Sequence, residues 1–158
     1  MGTHIIYGQS LFLGSILKQA VSEYLKLLPD DVDTLVSRGS SGCAICTAML
    51  FCSERQLYHV SYRKEGEDSH SGLGYSGGFG LHEIAIVDDF ISTGQTVKFL
   101  VDKLTGENRK VGAIVVNRFQ NPAGGEYIAD LVRAGTRIFF TNPIDNISDL
   151  FTGKGSSI

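Results

Sequence analysis

The sequence predicts an α/β domain in which a central, mostly parallel sheet is flanked by helices. Short apolar runs alternate along the chain with stretches of helical spacing, and this alternation is typical of right-handed βαβ units. Two of the runs, 84–87 and 111–116, are continuously apolar, as expected for strands covered on both faces. A length of 158 residues, 42% of them hydrophobic and 20% charged, fits one folded domain over 1–158.

The first half of the chain is predicted to contain two helices and two strands. Ser10 caps a helix that runs to about Leu28, because apolar side chains recur along one face of it. Pro29 ends this helix. The later elements are a strand at 33–36, a loop at 37–42, a mostly buried helix at 43–51 and a second strand at 57–62.

The second half begins with a long segment, 64–82, that shows no periodicity. Five of its residues between positions 72 and 80 are glycines. Long segments of this kind in compact domains are usually functional lids or disordered, so we expect a mobile lid loop here. The elements that follow are a strand at 84–87, a helix after 92–96, a strand at 111–116, a helix near 125–134, a strand at 137–140 and a helical turn at 147–151.

Charge and hydropathy exclude several classes of function. The net charge is −3, which argues against a nucleic-acid-binding surface, since such surfaces carry clustered positive charge. The longest apolar-leaning run, 44–52, has nine residues, whereas a membrane span needs about 20. No basic and apolar leader opens the chain. We therefore expect a cytoplasmic protein without membrane or nucleic-acid partners.

The three cysteines suggest two alternatives. An odd number of cysteines in a cytoplasmic chain argues against a disulfide framework. Cys43 and Cys46 form a C-x-x-C pair, which is either a redox pair at a helix start or two small residues buried on one helix. The four histidines show no ligand spacing near them, which argues against a zinc site.

An unusual group of polar residues follows the strand at 84–87. Asp88 and Asp89 stand at its end, where ligands bind in parallel sheets, and a carboxylate pair there is costly unless hydroxyls, a cation or N–H groups use it. Next comes a hydroxyl-rich turn, 92–96, whose amides and helix dipole suit a phosphate. Together they predict a sugar-phosphate site. The alternative is an ordinary helix cap beside a solvated acidic loop.

Residues 84–96 resemble the phosphoribosyl pyrophosphate (PRPP) motif of the type I phosphoribosyltransferases. The segment has the family's order of residues: four hydrophobic residues, two acids, two apolar residues and a T-G-x-T turn. The resemblance implies that Asp88 and Asp89 hold the ribose hydroxyls, directly or through Mg²⁺, and are catalytic. It also implies that the turn binds the 5′-phosphate through Ser92, Thr93, Gly94, Gln95 and Thr96.

Three further segments resemble parts of this family, so that the likeness covers about 33–151. Ser37, Arg38 and Gly39 are similar to the loop that binds pyrophosphate, where glycine lets the backbone approach closely. The mobile catalytic loop of orotate phosphoribosyltransferases resembles 63–70, and the base-facing segment of those enzymes resembles 116–120. These likenesses imply catalytic roles for Arg63, Lys64 and His70, and a base-binding role for Arg118.

Each of these cationic residues also has a plainer interpretation. Arg63 and Lys64 could be a solvated pair at a strand end, and His70 could be an ordinary surface residue. Arg118 could form an ion pair with an aspartate.

The sequence departs from the family in ways that leave the base open. Glu67 stands where the orotate enzymes carry a lysine, and Asn117 stands for their usual aspartate. The helix at 10–28 would form only a small hood or cover. We expect transfer of ribose 5-phosphate from PRPP to orotate or, second, a purine, with release of pyrophosphate. The resemblance also implies Mg²⁺ and a homodimer; the alternative is a non-catalytic regulator that binds PRPP or a nucleotide.

Overall fold

A computed structural model of the chain describes residues 14–64, 74–119 and 125–142. Helices and strands alternate through most of this part of the chain, as the sequence predicts. In order they are α1 Gly14–Leu27, β1 Val32–Arg38, α2 Ser40–Cys52, β2 Tyr58–Tyr62, β3 Tyr75–Gly77, β4 Glu83–Val87, β5 Phe90–Ile91, α3 Gln95–Gly106, β6 Val111–Val116, β7 Arg118–Phe119, α4 Gly125–Arg133 and β8 Arg137–Phe140.

In the described part of the chain, six strands form one central sheet in the order β3-β2-β1-β4-β6-β8. The pairs β1–β2, β1–β4, β4–β6 and β6–β8 are parallel, and β3 alone runs antiparallel, against β2. The mostly parallel sheet flanked by helices is therefore confirmed. The two-residue strands β5 and β7 pair with each other in a separate small sheet.

Each face of the sheet carries its own apolar core. Ile84 and Ile86 of β4 belong to the cluster that includes residues of α3 and α4. Ala85 and Val87 alternate with them and belong to the opposite cluster, which includes α1 and α2. Because β4 is covered on both faces, its sequence is a continuous apolar run instead of an alternating one.

The structure corrects two of the predicted loops. The loop at 37–42 is wrong for five of its six residues, because β1 extends to Arg38 and α2 begins at Ser40. Gly39 is the single residue that connects β1 to α2. Its φ of 88° and ψ of 170° form a conformation that is nearly restricted to glycine. The segment 64–82 is not wholly irregular, since Tyr75–Gly77 forms β3, which is too short to show a period.

The N-terminal helix covers one face of the sheet. Ala20, Val21 and Tyr24 of α1 are buried in the cluster shared with α2. The predicted start of this helix at Ser10, and the helical turn at 147–151, lie outside the described residues. Its role as a hood over a ligand stays a prediction. None of the helices in the described ranges is long and apolar enough to cross a membrane.

Candidate functional site

The acidic pair lies directly beyond the carboxyl end of β4, at the middle of the sheet. The Asp88 N–H donates to the Val115 carbonyl of β6, and the Asn117 N–H donates to the Asp89 carbonyl. Each carboxylate also accepts a hydrogen bond from the next backbone amide. The Asp89 N–H donates to Asp88 Oδ1 and the Phe90 N–H donates to Asp89 Oδ1, both at 2.9 Å. These bonds fix both acids to the end of the sheet.

Burial makes this pair electrostatically costly. Desolvation, and then the charge of the adjacent Asp89, raise the pKa of Asp88 well above its usual range. Asp89 itself is only 7% exposed. Two carboxylates held side by side at a buried strand end therefore favour any group that supplies hydrogen-bond donors or positive charge to them.

Helix α2 approaches the pair closely because of Gly42. A Cβ at this position would lie 3.0 Å from the Val87 carbonyl oxygen and 3.4 Å from Asp88 Oδ1. The Tyr24 hydroxyl of α1, which packs on the same face of the sheet as α2, donates to the Asp88 carbonyl at 2.6 Å. Glycine thus lets the first turn of α2, the positive end of its dipole, pack against the acids.

Two helices begin beside the acids, and each has a glycine at its N-cap. Gly39 precedes α2, and Gly94 precedes α3 in the left-handed conformation, with φ 79° and ψ 0°. Neither glycine has a side chain that caps its helix, and the Gln95 N–H of α3 donates to the Thr93 hydroxyl at 3.4 Å. Such helix starts carry free N–H donors and positive potential, and so they bind anions.

Two adjoining clefts connect these helix starts with the acids. The first, of about 290 Å³, lies at the start of α2 and is lined by Arg38, Gly39, Ser40, Ser41, Lys64, Asp88, Asp89 and Thr96. The second, of about 190 Å³, lies at the start of α3 and is lined by residues 88–97. Asp88, Asp89 and Thr96 line both clefts. The carboxylates therefore stand between two anion-binding helix starts.

Of the two predicted cationic residues that follow β2, the structure brings Lys64 to the first cleft. Lys64 lines it directly. A third cleft, of about 370 Å³, shares Gly39, Ser40 and Lys64 with the first and is also lined by Arg63. The Arg63 guanidinium donates to Ser76 Oγ of β3 at 2.8 Å. His70 and Glu67 lie outside the described residues.

Ser37 lies below the first cleft instead of on its wall. Its side chain is fully buried, and Ser37 Oγ lies 2.7 Å from Nε2 of His59 on the neighbouring strand β2. Burial lowers the pKa of His59, which favours a neutral ring there at pH 7. Sequence reasoning missed His59, because nothing local marks a polar contact between two strands. The pyrophosphate role of Ser37 stays a prediction.

Arg118 lies in the small two-stranded sheet above the acids. It pairs in register with Phe90, which lines the second cleft. The preceding residue, Asn117, is buried and donates through Nδ2 to Thr141 Oγ1 at 2.7 Å. Arg118 is thus one strand away from the second cleft, and its contact with a base stays a prediction.

The cysteine pair splits between two environments on α2. Cys46 is fully buried, and desolvation raises the pKa of its thiol well above the usual value. Reactive redox cysteines have a lowered pKa and are accessible, so this environment disfavours the redox interpretation. Cys46 instead packs in the core with Met49 and Ile45.

Comparisons with known proteins show the fold. No protein-family model and no curated protein sequence matches the chain. Among solved structures, Leishmania donovani UMP synthase is 20% identical with a TM-score of 0.67, over 91% of this chain and 30% of that chain. Orotate phosphoribosyltransferase from Aeropyrum pernix is 19% identical with a TM-score of 0.62, over 92% of this chain and 81% of that one.

A third neighbour was solved with a bound ligand. Orotate phosphoribosyltransferase of Mycobacterium tuberculosis in complex with PRPP is 14% identical with a TM-score of 0.68, over 90% of this chain and 80% of that one. The chain described here spans less than a third of the length of the Leishmania protein. These neighbours confirm the type I phosphoribosyltransferase fold that the sequence motif predicts.

Proposed function

We propose that this chain is a phosphoribosyltransferase that transfers the ribose 5-phosphate of PRPP to a nucleobase and releases pyrophosphate. The observation that carries the proposal is the pair of clefts that share Asp88, Asp89 and Thr96. PRPP has hydroxyls at its centre and phosphoryl groups at both ends. The acids between two glycine-capped helix starts match that distribution of groups.

Each end of PRPP has a matching partner in this arrangement. The 5′-phosphate would accept hydrogen bonds from the first-turn amides of α3 and from the hydroxyls of Thr93 and Thr96. The ribose hydroxyls would donate to Asp88 and Asp89. The pyrophosphate would lie at the start of α2, where Arg38 and Lys64 line the cleft.

The acidic pair also suits a Mg²⁺ ion. Mg²⁺ is usually bound by one or two carboxylates together with substrate phosphates and water. Because burial and Asp89 raise the pKa of Asp88, positive charge beside the pair would offset its electrostatic cost. In the described residues no cluster of three or more histidine, cysteine or acidic side chains is gathered for a metal. When bound, Mg²⁺ would offset the charge that develops on the departing pyrophosphate.

The reaction breaks the bond between C1′ and the pyrophosphate oxygen, which leaves with the electron pair of that bond, while a nitrogen of the base bonds to C1′ and loses its proton to solvent. Negative charge then grows on the leaving oxygen, and positive charge grows on the ribose ring. Arg38 and Lys64 would stabilise the leaving group, and Asp88 and Asp89 would orient the ring and favour its positive charge. We place the base beside β5 and β7, with Arg118 as the donor that favours orotate over a purine.

We also propose that the chain acts as a homodimer. Helix α2 contains no charged residue, yet its last turn exposes Phe51 by 92% and Leu50 by 36%. Large apolar side chains exposed side by side often mark a protein interface, so a second copy would bury this end of α2.

Turnover is tested by incubating the chain with PRPP, Mg²⁺ and a panel of free bases, and by measuring product mass. We expect one base, orotate first, to give its nucleotide and pyrophosphate. The matched control is the double variant Asp88→Asn, Asp89→Asn, which should give no nucleotide. Tight PRPP binding without turnover on any base would instead support the non-catalytic regulator, which Glu67 favours.

A further inference from the structure

The side chain of Arg38 rests on an aromatic ring of α3. Its guanidinium carbon lies 3.7 Å from the centroid of the Phe99 ring. Arg38 Nε is buried and has no hydrogen-bond partner among the described residues. The contact with Phe99 therefore orients a cation that lines the first cleft.

The Phe99 ring is itself braced from the sheet. Tyr62 of β2 meets it edge-on, with centroids 6.5 Å apart and an interplanar angle of 85°. Tyr62 in turn packs against Tyr75 of β3 at 5.2 Å. Phe99 is half-buried against the core on this face of the sheet. A ring held on these sides offers Arg38 a fixed platform.

Helix α3 thus connects the two ends of the site. Its N-terminus lies at the second cleft, and Phe99 follows Gln95 by about one turn. We propose that Phe99 is a positioning residue that holds Arg38 at the pyrophosphate end of the site. This inference rests on the proposed function, because it takes PRPP as the ligand whose two ends the clefts bind.

The test measures the two ends of the ligand separately, by calorimetry with inorganic pyrophosphate and with ribose 5-phosphate. Phe99→Leu should weaken pyrophosphate binding roughly three- to thirtyfold and leave ribose 5-phosphate binding unchanged. Phe99→Tyr, which keeps the aromatic face, should bind pyrophosphate within about twofold of the original chain. In an Arg38→Ala background, Phe99→Leu should have no further effect. The control Lys103→Gln removes the other cation near the ring, whose Nζ lies 5.5 Å from the centroid, and should leave both affinities unchanged.

Unchanged pyrophosphate affinity in Phe99→Leu, or an equal loss of both ligands, would overturn the inference. If that variant does not fold, Phe99→Trp decides, because the chain contains no tryptophan and the new indole can be excited selectively over the six tyrosines. Its emission should change on addition of pyrophosphate, and this change should vanish with Arg38→Ala. Emission that does not respond refutes the positioning role. If the original chain binds neither ligand, the proposed function itself fails.

Discussion

Replacing Asp88 with asparagine should stabilise the free protein while it weakens PRPP binding. Burial and the adjacent Asp89 raise the pKa of Asp88, so the folded state is penalised when this carboxyl loses its proton. Asparagine keeps an oxygen acceptor for the Asp89 N–H, which now donates to Asp88 Oδ1 at 2.9 Å. The substitution therefore removes the charge and retains the turn.

The substitution should raise the free energy of unfolding and lower the affinity for PRPP. Relief of the buried charge should raise the free energy of unfolding by about 1 kcal/mol at pH 7. For a domain of this size that corresponds to a rise in Tm of about 2–4 °C. Loss of one charge-assisted hydrogen bond to the ribose should cost about 1.5–3 kcal/mol. PRPP affinity would then fall roughly 10- to 150-fold.

The pH dependence gives the test its direction. Because the folded-state pKa of Asp88 lies above the unfolded-state value, its contribution to stability falls as pH rises between those two values. The stability of Asp88→Asn relative to the original chain should therefore be smallest in acid and largest at neutral pH. The assay is thermal unfolding at a series of pH values, with PRPP calorimetry at pH 7.

A surface acid supplies the matched control. Asp102 on α3 is 61% exposed and pairs with Lys98, so Asp102→Asn should change neither Tm nor PRPP affinity appreciably. The reasoning would be refuted if Asp88→Asn were less stable than the original chain at pH 7. A stability difference that is the same at every pH would also refute it.

Four further predictions address other parts of the site and the surface. Gly94→Val should abolish the thermal protection by ribose 5-phosphate, because a β-branched residue cannot easily adopt φ 79° at the phosphate turn. Equal protection of the variant and the original chain would show that this turn does not bind the phosphate. Gly42→Ala should reduce PRPP affinity, since its Cβ would lie 3.0 Å from the last carbonyl of β4, whereas Gly106→Ala, with nothing within 4 Å, should not. His70→Ala should lower kcat and leave PRPP affinity unchanged in calorimetry, and an unchanged kcat would remove it from the catalytic residues. Phe51→Ser should convert a dimer to a monomer in sedimentation without loss of monomer stability, because the ring is 92% exposed, and a monomeric original chain would contradict the dimer.

Local patterns in the sequence determined the layers of the fold and predicted the centre of the candidate site. The apolar runs of β4 and β6 predicted buried parallel strands, because a strand covered on both faces needs no polar alternation. The order of acids, hydroxyls and glycine over 88–96 predicted a sugar-phosphate site. Both conclusions depend only on neighbouring residues, whose spacing the sequence records directly.

Contacts between distant segments were decided only by the tertiary structure. The sequence placed Ser37 in a ligand-binding loop, but pairing of β1 with β2 buries its hydroxyl against His59. It assigned Arg38 to the pyrophosphate-binding loop, but only the packing of α3 on the sheet puts the Phe99 ring against its guanidinium. The pKa of Asp88 likewise depends on burial by elements far along the chain. Neither a period nor a motif records which side chains of separate elements meet, because that depends on strand order and on the packing of helices over the sheet.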